Sequence, residues 1–215
     1  MTNSFGQVNL RDSYFTIAAQ THAEIKIERS RFIATALPVE SKAAAEAEYR
    51  TTRKHYHDAT HNCFAYVVGI DPETSYRYSD DGEPSGTAGK PIHEAILGHQ
   101  LTNMLLVVTR YFGGVKLGTG GLSRAYREAA NQVLDQAHTR ECFVMQIFKL
   151  RFAHDQVSAV MKVMSDFNLK PISISYAESV EVTAAIRRSG FEQLRATVID
   201  RCHGRVEIEL IADEA

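Results

Sequence analysis

The sequence predicts an α+β fold in two domains, and three observations carry that prediction. From Cys142 to the end, alternating and helical apolar patterns succeed one another in the order βαββαβ. Before that point, strand patterns and helix patterns are mixed without a regular βαβ period. Finally, two glycine-rich polar segments, Ser79–Pro91 and Arg110–Leu122, each run straight into a helical pattern. The expected boundaries are 1–140 for the first domain and 141–215 for the second.

In the first domain, Tyr14–Ala18, His22–Glu28 and Arg31–Pro38 read as strands. Ser41 is placed to cap a helix that runs to about His55 through an Ala/Glu-rich stretch of high helix propensity. Asn62–Ile70 and Ser75–Ser79 are expected strands on either side of Asp71-Pro-Glu-Thr, a hairpin-type turn. Pro91 suits the first turn of a helix reaching about Gln100. Met104–Thr109 is continuously apolar and predicts a central strand buried on both faces. Leu122–Ala137 carries an amphipathic helical pattern, and 138–141 reads as the link to the second domain.

The second domain is more regular. Val144, Gln146, Phe148, Leu150 and Phe152 share one parity of a strand. Val157, Val160, Met161, Met164 and Phe167 recur at helical spacing. Pro171–Tyr176 and Val180–Ile186 predict two strands joined by a short turn, Ser189–Cys202 a second helix, and Arg205–Ile211 a last strand. This order is the split βαβ, or ferredoxin-like, arrangement.

Composition narrows the function classes. The chain has 215 residues, 24 Lys+Arg against 26 Asp+Glu, and a net charge of −2, so it lacks the global basic excess of many nucleic-acid binders. Any such binding must use a local patch. No apolar run approaches the roughly 20 residues that cross a bilayer, and the N-terminus has no signal-peptide pattern. The three cysteines are far apart with no CxxC pair, which fits a reducing cytoplasm and predicts no disulfide framework. A cytoplasmic location and no membrane partner are the expectations.

The two glycine-rich segments hold eight of the thirteen glycines. Glycine at that density lets backbone N–H groups turn toward a bound group. In the second segment Gly113, Gly114, Gly118, Gly120 and Gly121 lie between a buried strand and a helix, where helix N–H groups lack partners. Arg110, Lys116, Arg124 and Arg127 surround them, and Thr119 adds a hydroxyl. These ten residues are the expected phosphate-binding set. Neither segment matches a dinucleotide fingerprint or a Walker loop: Ser123 stands in place of the third glycine, and Thr119 follows Gly118 where lysine is required.

The first segment contributes Asp80, Asp81, Glu83, Ser85, Thr87 and Lys90. Its three carboxylates either hold Mg²⁺ against a phosphate or form a solvated turn paired to Arg110 or Lys116. His61 and Cys63 open a strand on one face, beside His55 and His57 at a helix end. Those residue types suit zinc or a thiol–imidazole pair, but the spacing supplies no third partner, so no metal is assigned. Tyr111, with Phe112, abuts the second segment and offers either a base-stacking surface or a core plug. No recognised catalytic constellation emerges, and the reading leans away from an enzyme.

Three long runs carry a resemblance: Ala59-Thr-His-Asn-Cys63, Ser79–Gly89 and Val107–Tyr126. Through them the chain strongly resembles the YigZ/IMPACT family over about Phe15–Asp135, with a second domain similar to the C-terminal partner of bacterial YigZ-type members. Ser123 departs from the aliphatic residue usual before Arg-Ala-Tyr. The resemblance implies an N-terminal β-α-β sandwich like that of a small-subunit ribosomal protein, elongation factor G domain IV and the GHMP kinases. It implies a C-terminal domain similar to one of elongation factor G. The expected function is therefore binding of RNA or the translation machinery, with a role in translation regulation and no cofactor. Two other readings fit the same residues: a Mg-dependent enzyme of a nucleotide or small phosphorylated metabolite, and a pure protein-interaction module.

Overall fold

The computed structural model of the protein describes residues 12–70 and 74–211. The hairpin-type turn expected at Asp71-Pro-Glu-Thr lies largely outside them. In chain order the elements are β1 (Ser13–Ile17), β2 (Thr21–Ile27), β3 (Ser30–Pro38), α1 (Lys42–His55), β4 (His61–Val68), β5 (Ser75–Ser79), α2 (Gly89–Gly98), β6 (Met104–Tyr111) and α3 (Gly118–Gln136). They continue with β7 (Thr139–Phe143), β8 (Met145–Phe152), α4 (Val157–Asp166), β9 (Ser173–Tyr176), β10 (Val180–Arg187), α5 (Phe191–Arg201) and β11 (Val206–Ile211). Short 3₁₀ turns lead into α4 and α5. The chain divides into two compact units, Tyr14–Cys142 and the remainder from Phe143, which also takes in Asp12 and Ser13.

The first unit is organised by β6. Its apolar run Met104–Val108 is fully buried on both faces because the strand lies at the centre of a five-stranded sheet ordered β2-β3-β6-β4-β5. Every neighbouring pair in that sheet is antiparallel. Alternate residues therefore face opposite layers. Leu105 and Val107, with Phe64, Tyr66 and Leu37, pack toward Ala45 and Tyr49 of α1. Met104, Leu106 and Val108, with Phe32, Cys63 and Ala65, pack toward Ile92 and Ile96 of α2 and Ala125, Tyr126 and Ala129 of α3. Ser41 caps α1 as its sequence position predicts: its Oγ accepts from the Ala44 amide at 3.1 Å.

Two boundaries differ from the sequence reading. Helix α3 begins at Gly118 instead of Leu122, so three of the glycines expected in a loop form its first turn. Most of the link expected at 138–141 is instead part of β7 (Thr139–Phe143), which pairs with β1 in a two-stranded sheet.

In the second unit, Phe148, Leu150 and Phe152 of β8 and Val180, Val182, Ala184 and Ile186 of β10 face Val160, Val163 and Met164 of α4 and Leu194 and Val198 of α5. The antiparallel sheet is ordered β11-β8-β10-β9. The order of elements along the chain is the βαββαβ predicted from the apolar patterns, and its first and third strands form the centre of the sheet. The opposite face carries a charge network in which Arg151 bonds Glu181, with Lys149 and Glu207 close by. Among the described residues no helix is long and apolar enough to cross a membrane.

Candidate functional site

Both glycine-rich segments emerge from one end of the first sheet. The register sets Arg110, near the end of β6, against Phe32 at the start of β3 and His61 at the start of β4. It also sets Ser79, the last residue of β5, against Phe64. Helices α2 and α3 therefore both start at this end, and their positive dipole ends lie on the same rim. On the other face, α1 delivers its last turn, Arg53, Lys54 and His55, to that end through the short link into β4.

The first segment folds around its own carboxylates. Asp80 accepts the amides of Ala88 and Gly89 on Oδ1 at 2.9 and 2.8 Å, and that of Gly86 on Oδ2 at 2.8 Å. A chain carboxylate thus occupies the anion position at the N-terminus of α2. Asp81 accepts the Asn62 amide at 2.7 Å through Oδ2, with Arg53 at 3.7 Å from Oδ1. Glu83 is buried and accepts from Arg110 Nη1 at 2.6 Å and from the Tyr126 hydroxyl at 2.8 Å, both on Oε1. The three carboxylates point to three different sets of protein donors. Groups of three or more His, Cys, Asp or Glu able to hold a metal ion are absent among the described residues. The carboxylates do not fit a shared Mg²⁺.

Arg110 is consequently turned inward, contrary to its expected place in the phosphate set. Only 4 % exposed, it lies between the Phe32 and Phe112 rings, donates to Ser30 Oγ at 3.3 Å through Nη2, and closes the ion pair with Glu83. Tyr126 extends this network to Cys63, whose Sγ stands 3.4 Å from the hydroxyl and donates to the Asp80 carbonyl at 3.0 Å. Burial pushes the Cys63 thiol well above its usual range, against the bond to Tyr126 and with the charges of Glu83, Asp81 and Asp80. A thiolate nucleophile is not what this environment favours. Burial likewise raises the Tyr126 phenol. His61 donates from Nδ1 to the Asp81 carbonyl at 2.8 Å, and its Nε2 lies 3.9 Å from Glu83 Oε2. His61 and Cys63 do share a face, as their spacing predicts, but that face belongs to the buried network.

Of the remaining first-segment residues, Thr87 is buried and bonds the Pro84 carbonyl, while Ser85 and Lys90 are exposed. Lys90, in the first turn of α2, faces Glu94 at 4.0 Å.

The second segment is open where the first is closed. Leu117 at the N-cap of α3 supplies no side-chain bond, and no acidic residue stands in the first turn. Gly114, Lys116, Gly118, Thr119, Gly120 and Arg124 are exposed, and Gly121 is half-buried. Gly114 and Gly118 adopt φ of +89° and +68°, the left-handed region that favours glycine. Gly113 has a different role: a Cβ there would stand 2.1 Å from the Arg29 carbonyl, so this glycine lets β6 leave the sheet against the β2–β3 turn. Arg127 is exposed but paired to Glu94 of α2. Tyr111 is held by a 2.8 Å bond from its hydroxyl to Asp58, with Arg31 over its ring. Among the described residues, Lys116 and Arg124 have no ion-pair partner.

The structure adds cations to this rim that motif reading passed over. Arg29 sits exposed at the β2–β3 turn with its carbonyl against Gly113, and exposed Arg53 and Lys54 arrive from α1. Their signal was a basic residue at the β2–β3 turn and a basic last turn of α1, placed on this rim only once the antiparallel order is known.

The comparisons with known proteins agree with this architecture. Residues 28–134 match the Impact N-terminal domain. The chain is 33 % identical over 197 residues to the IMPACT family member YvyE of Bacillus subtilis, covering 92 % of this chain and 90 % of that protein. It is 31 % identical over 203 residues to the IMPACT family member YigZ of Escherichia coli, covering 94 % of this chain and all of that one. A solved structure titled only as a hypothetical protein superposes with a TM-score of 0.71 at 32 % identity, covering 95 % of this chain and all of its own. The chain belongs to the IMPACT family and is of the bacterial YigZ/YvyE type.

Proposed function

We propose that the protein binds RNA, in the setting of the translation machinery, through sugar-phosphate contacts at the loop end of the first sheet. The observation that carries this reading is the contrast between the two helix N-termini. That of α2 is filled by Asp80, whereas that of α3 presents free amides on exposed glycines beside Lys116 and Arg124. Arg29, Lys54 and Lys90 extend the positive rim, so a chain of net charge −2 still offers a local patch suited to phosphate. The kinship to translation-factor domains implied by the family resemblance supports the setting by analogy of fold.

The test is RNA and ribosome binding across a salt series, with wild type and Lys116→Ala/Arg124→Ala. The expected result is a steep loss of affinity with salt, with the slope reduced by roughly one unit per phosphate contact removed. Absence of binding at low salt, or a slope unchanged in the double variant, overturns the reading.

A further inference from the structure

Strand β5 is the outer strand of the first sheet, and its two tyrosines lie on the core-facing side of that strand. The register sets Tyr78 against Ala65 and Tyr76 against Val67, both residues of the α2/α3 layer. Yet Tyr76 is 60 % exposed and Tyr78 41 % exposed, and the α2 ring packed against both is that of His93. The Tyr76 and Tyr78 rings are parallel within 9° at 6.4 Å between centroids, and the His93 ring stacks on Tyr76 at 4.5 Å. Burial lowers the His93 pKa and favours a neutral ring, while its Nε2 has no hydrogen-bond partner among the described residues. Three flat, neutral rings thus form one shelf at the edge of the sheet.

The shelf adjoins the positive rim. Ser79, the residue after Tyr78, touches Gly89 in the first turn of α2, and Lys90 stands one turn before His93. Next to His93, Glu94 carries Lys90 on one side and Arg127 of α3 on the other, and Arg124 lies one turn before Arg127. A row of cations, Lys90, Arg127 and Arg124, therefore runs from the shelf to the open N-terminus of α3, with Glu94 within it and Glu128 lining the groove beside Arg124 and Arg127. Flat rings beside a row of cations complement a polymer that carries flat rings along an anionic backbone.

We propose that Tyr76, Tyr78 and His93 form a stacking platform for unpaired bases of a single-stranded RNA whose phosphates follow the Lys90–Arg127–Arg124 row. This rests on the RNA reading above and adds a preference for single strands with exposed bases. Base–aromatic stacking tolerates sequence, so the platform selects strandedness and not a motif.

The experiment compares the full-length protein with Tyr76→Ala/Tyr78→Ala, Tyr76→Phe/Tyr78→Phe and Lys116→Ala/Arg124→Ala. The probes are a fluorescent oligouridylate and an abasic ribose-phosphate oligomer of equal length, read by anisotropy, with thermal melting to confirm folding. The expected result is about a tenfold or greater loss of oligouridylate affinity in the alanine pair. Its abasic binding and salt slope are expected to be unchanged, and the phenylalanine pair to match wild type. Wild-type oligouridylate affinity in the alanine pair, as expected of a surface that docks protein, overturns the platform, as does equal loss on the abasic oligomer. If only the Lys116/Arg124 variant loses affinity, the platform falls and the phosphate reading stands. If only the tyrosine variant does, phosphate contacts at Lys116 and Arg124 fall, the row ends at Arg127, and stacking on Tyr76 and Tyr78 stands. Wild type that binds neither probe at low salt overturns both.

Discussion

Arg110 and Glu83 form an ion pair, 2.6 Å between Nη1 and Oε1, with their side chains only 5 % and 4 % exposed. They join the end of the central strand to the first glycine-rich segment, and Tyr126 brings α3 onto the same carboxylate oxygen. The pair is what fixes the two segments relative to one another. Such a pair contributes little net stability over an apolar replacement, but leaving one member alone strands a charge in a medium that solvates it poorly.

Glu83→Ala should therefore cost about 3–5 kcal/mol in urea denaturation, and Arg110→Met a similar amount. Glu83→Leu/Arg110→Met should recover most of the loss, because no uncompensated charge remains. Single variants within about 1 kcal/mol of wild type would show that water reaches the pair, as it does at surface ion pairs.

The two adjacent glycines, Gly113 and Gly114, should respond differently to alanine. At Gly113 the new methyl meets the Arg29 carbonyl carbon and oxygen at 2.1 Å, so β6 or the β2–β3 turn must move. At Gly114 nothing lies within 4 Å, and the cost is only that of φ +89°. Gly113→Ala is expected to lose about 3 kcal/mol or more, Gly114→Ala about 1–2 kcal/mol. Equal losses would sink the assignment of Gly113 to close backbone approach.

Much of this arrangement was legible in the sequence, and the remainder was hidden for a physical reason. Ser41 could be read because capping is local, and the second unit's central strands β8 and β10 because one face of each is buried. Met104–Thr109 could be read as central because Met104–Val108 is apolar at every position. That same property hid the direction of Arg110: in a strand buried on both faces, parity does not separate inside from outside. Arg110 shares parity with Val108 and Leu106, which face α3. Asp80, Asp81 and Glu83 are adjacent in sequence but separate in space, since each turns to a different donor. Helix α3 begins four residues earlier than its apolar stripe, because glycines in a first turn bear no side chain for periodicity to register.

Asp80→Ala removes the acceptor for three amides at the start of α2, where no other side chain caps the helix. Caps of one or two bonds are worth about 1 kcal/mol, and this one should be worth about 2. Ser41→Ala, which removes a single bond from α1, is the reference at about 1 kcal/mol. Equal melting losses in the two variants would argue that water replaces the Asp80 carboxylate.

Among the three cysteines, only Cys142 should react with a thiol reagent in the native protein. Cys63 and Cys202 are buried, and burial raises both thiols. Iodoacetamide followed by peptide mass analysis should label Cys142 first and the other two only in denaturant. Native labelling of Cys63 would mean that the network around Tyr126 opens on the labelling timescale.

Helix α2 carries His93 and ends at the C-cap residue His99, and the pH effects of the two should oppose one another. Burial lowers the His93 pKa, so the folded protein binds fewer protons there than the unfolded chain. Its contribution is complete above about pH 6.5 and is lost as pH falls through that value toward the folded pKa. At His99, burial acts downward, but the bonds to Asp135 and to the Ala95 carbonyl outweigh it and the pKa is raised. That contribution is complete below about pH 6.5 and is lost as pH rises through the folded pKa. Between pH 5 and 8, His93→Phe should flatten the rise of stability with pH, whereas Asp135→Asn should steepen it. The Asp135 effect should be about 0.5 kcal/mol, since that carboxylate is largely exposed and its charge is screened. A steeper rise in His93→Phe would reverse the sign assigned to His93 and show that its ring is charged beneath the tyrosines.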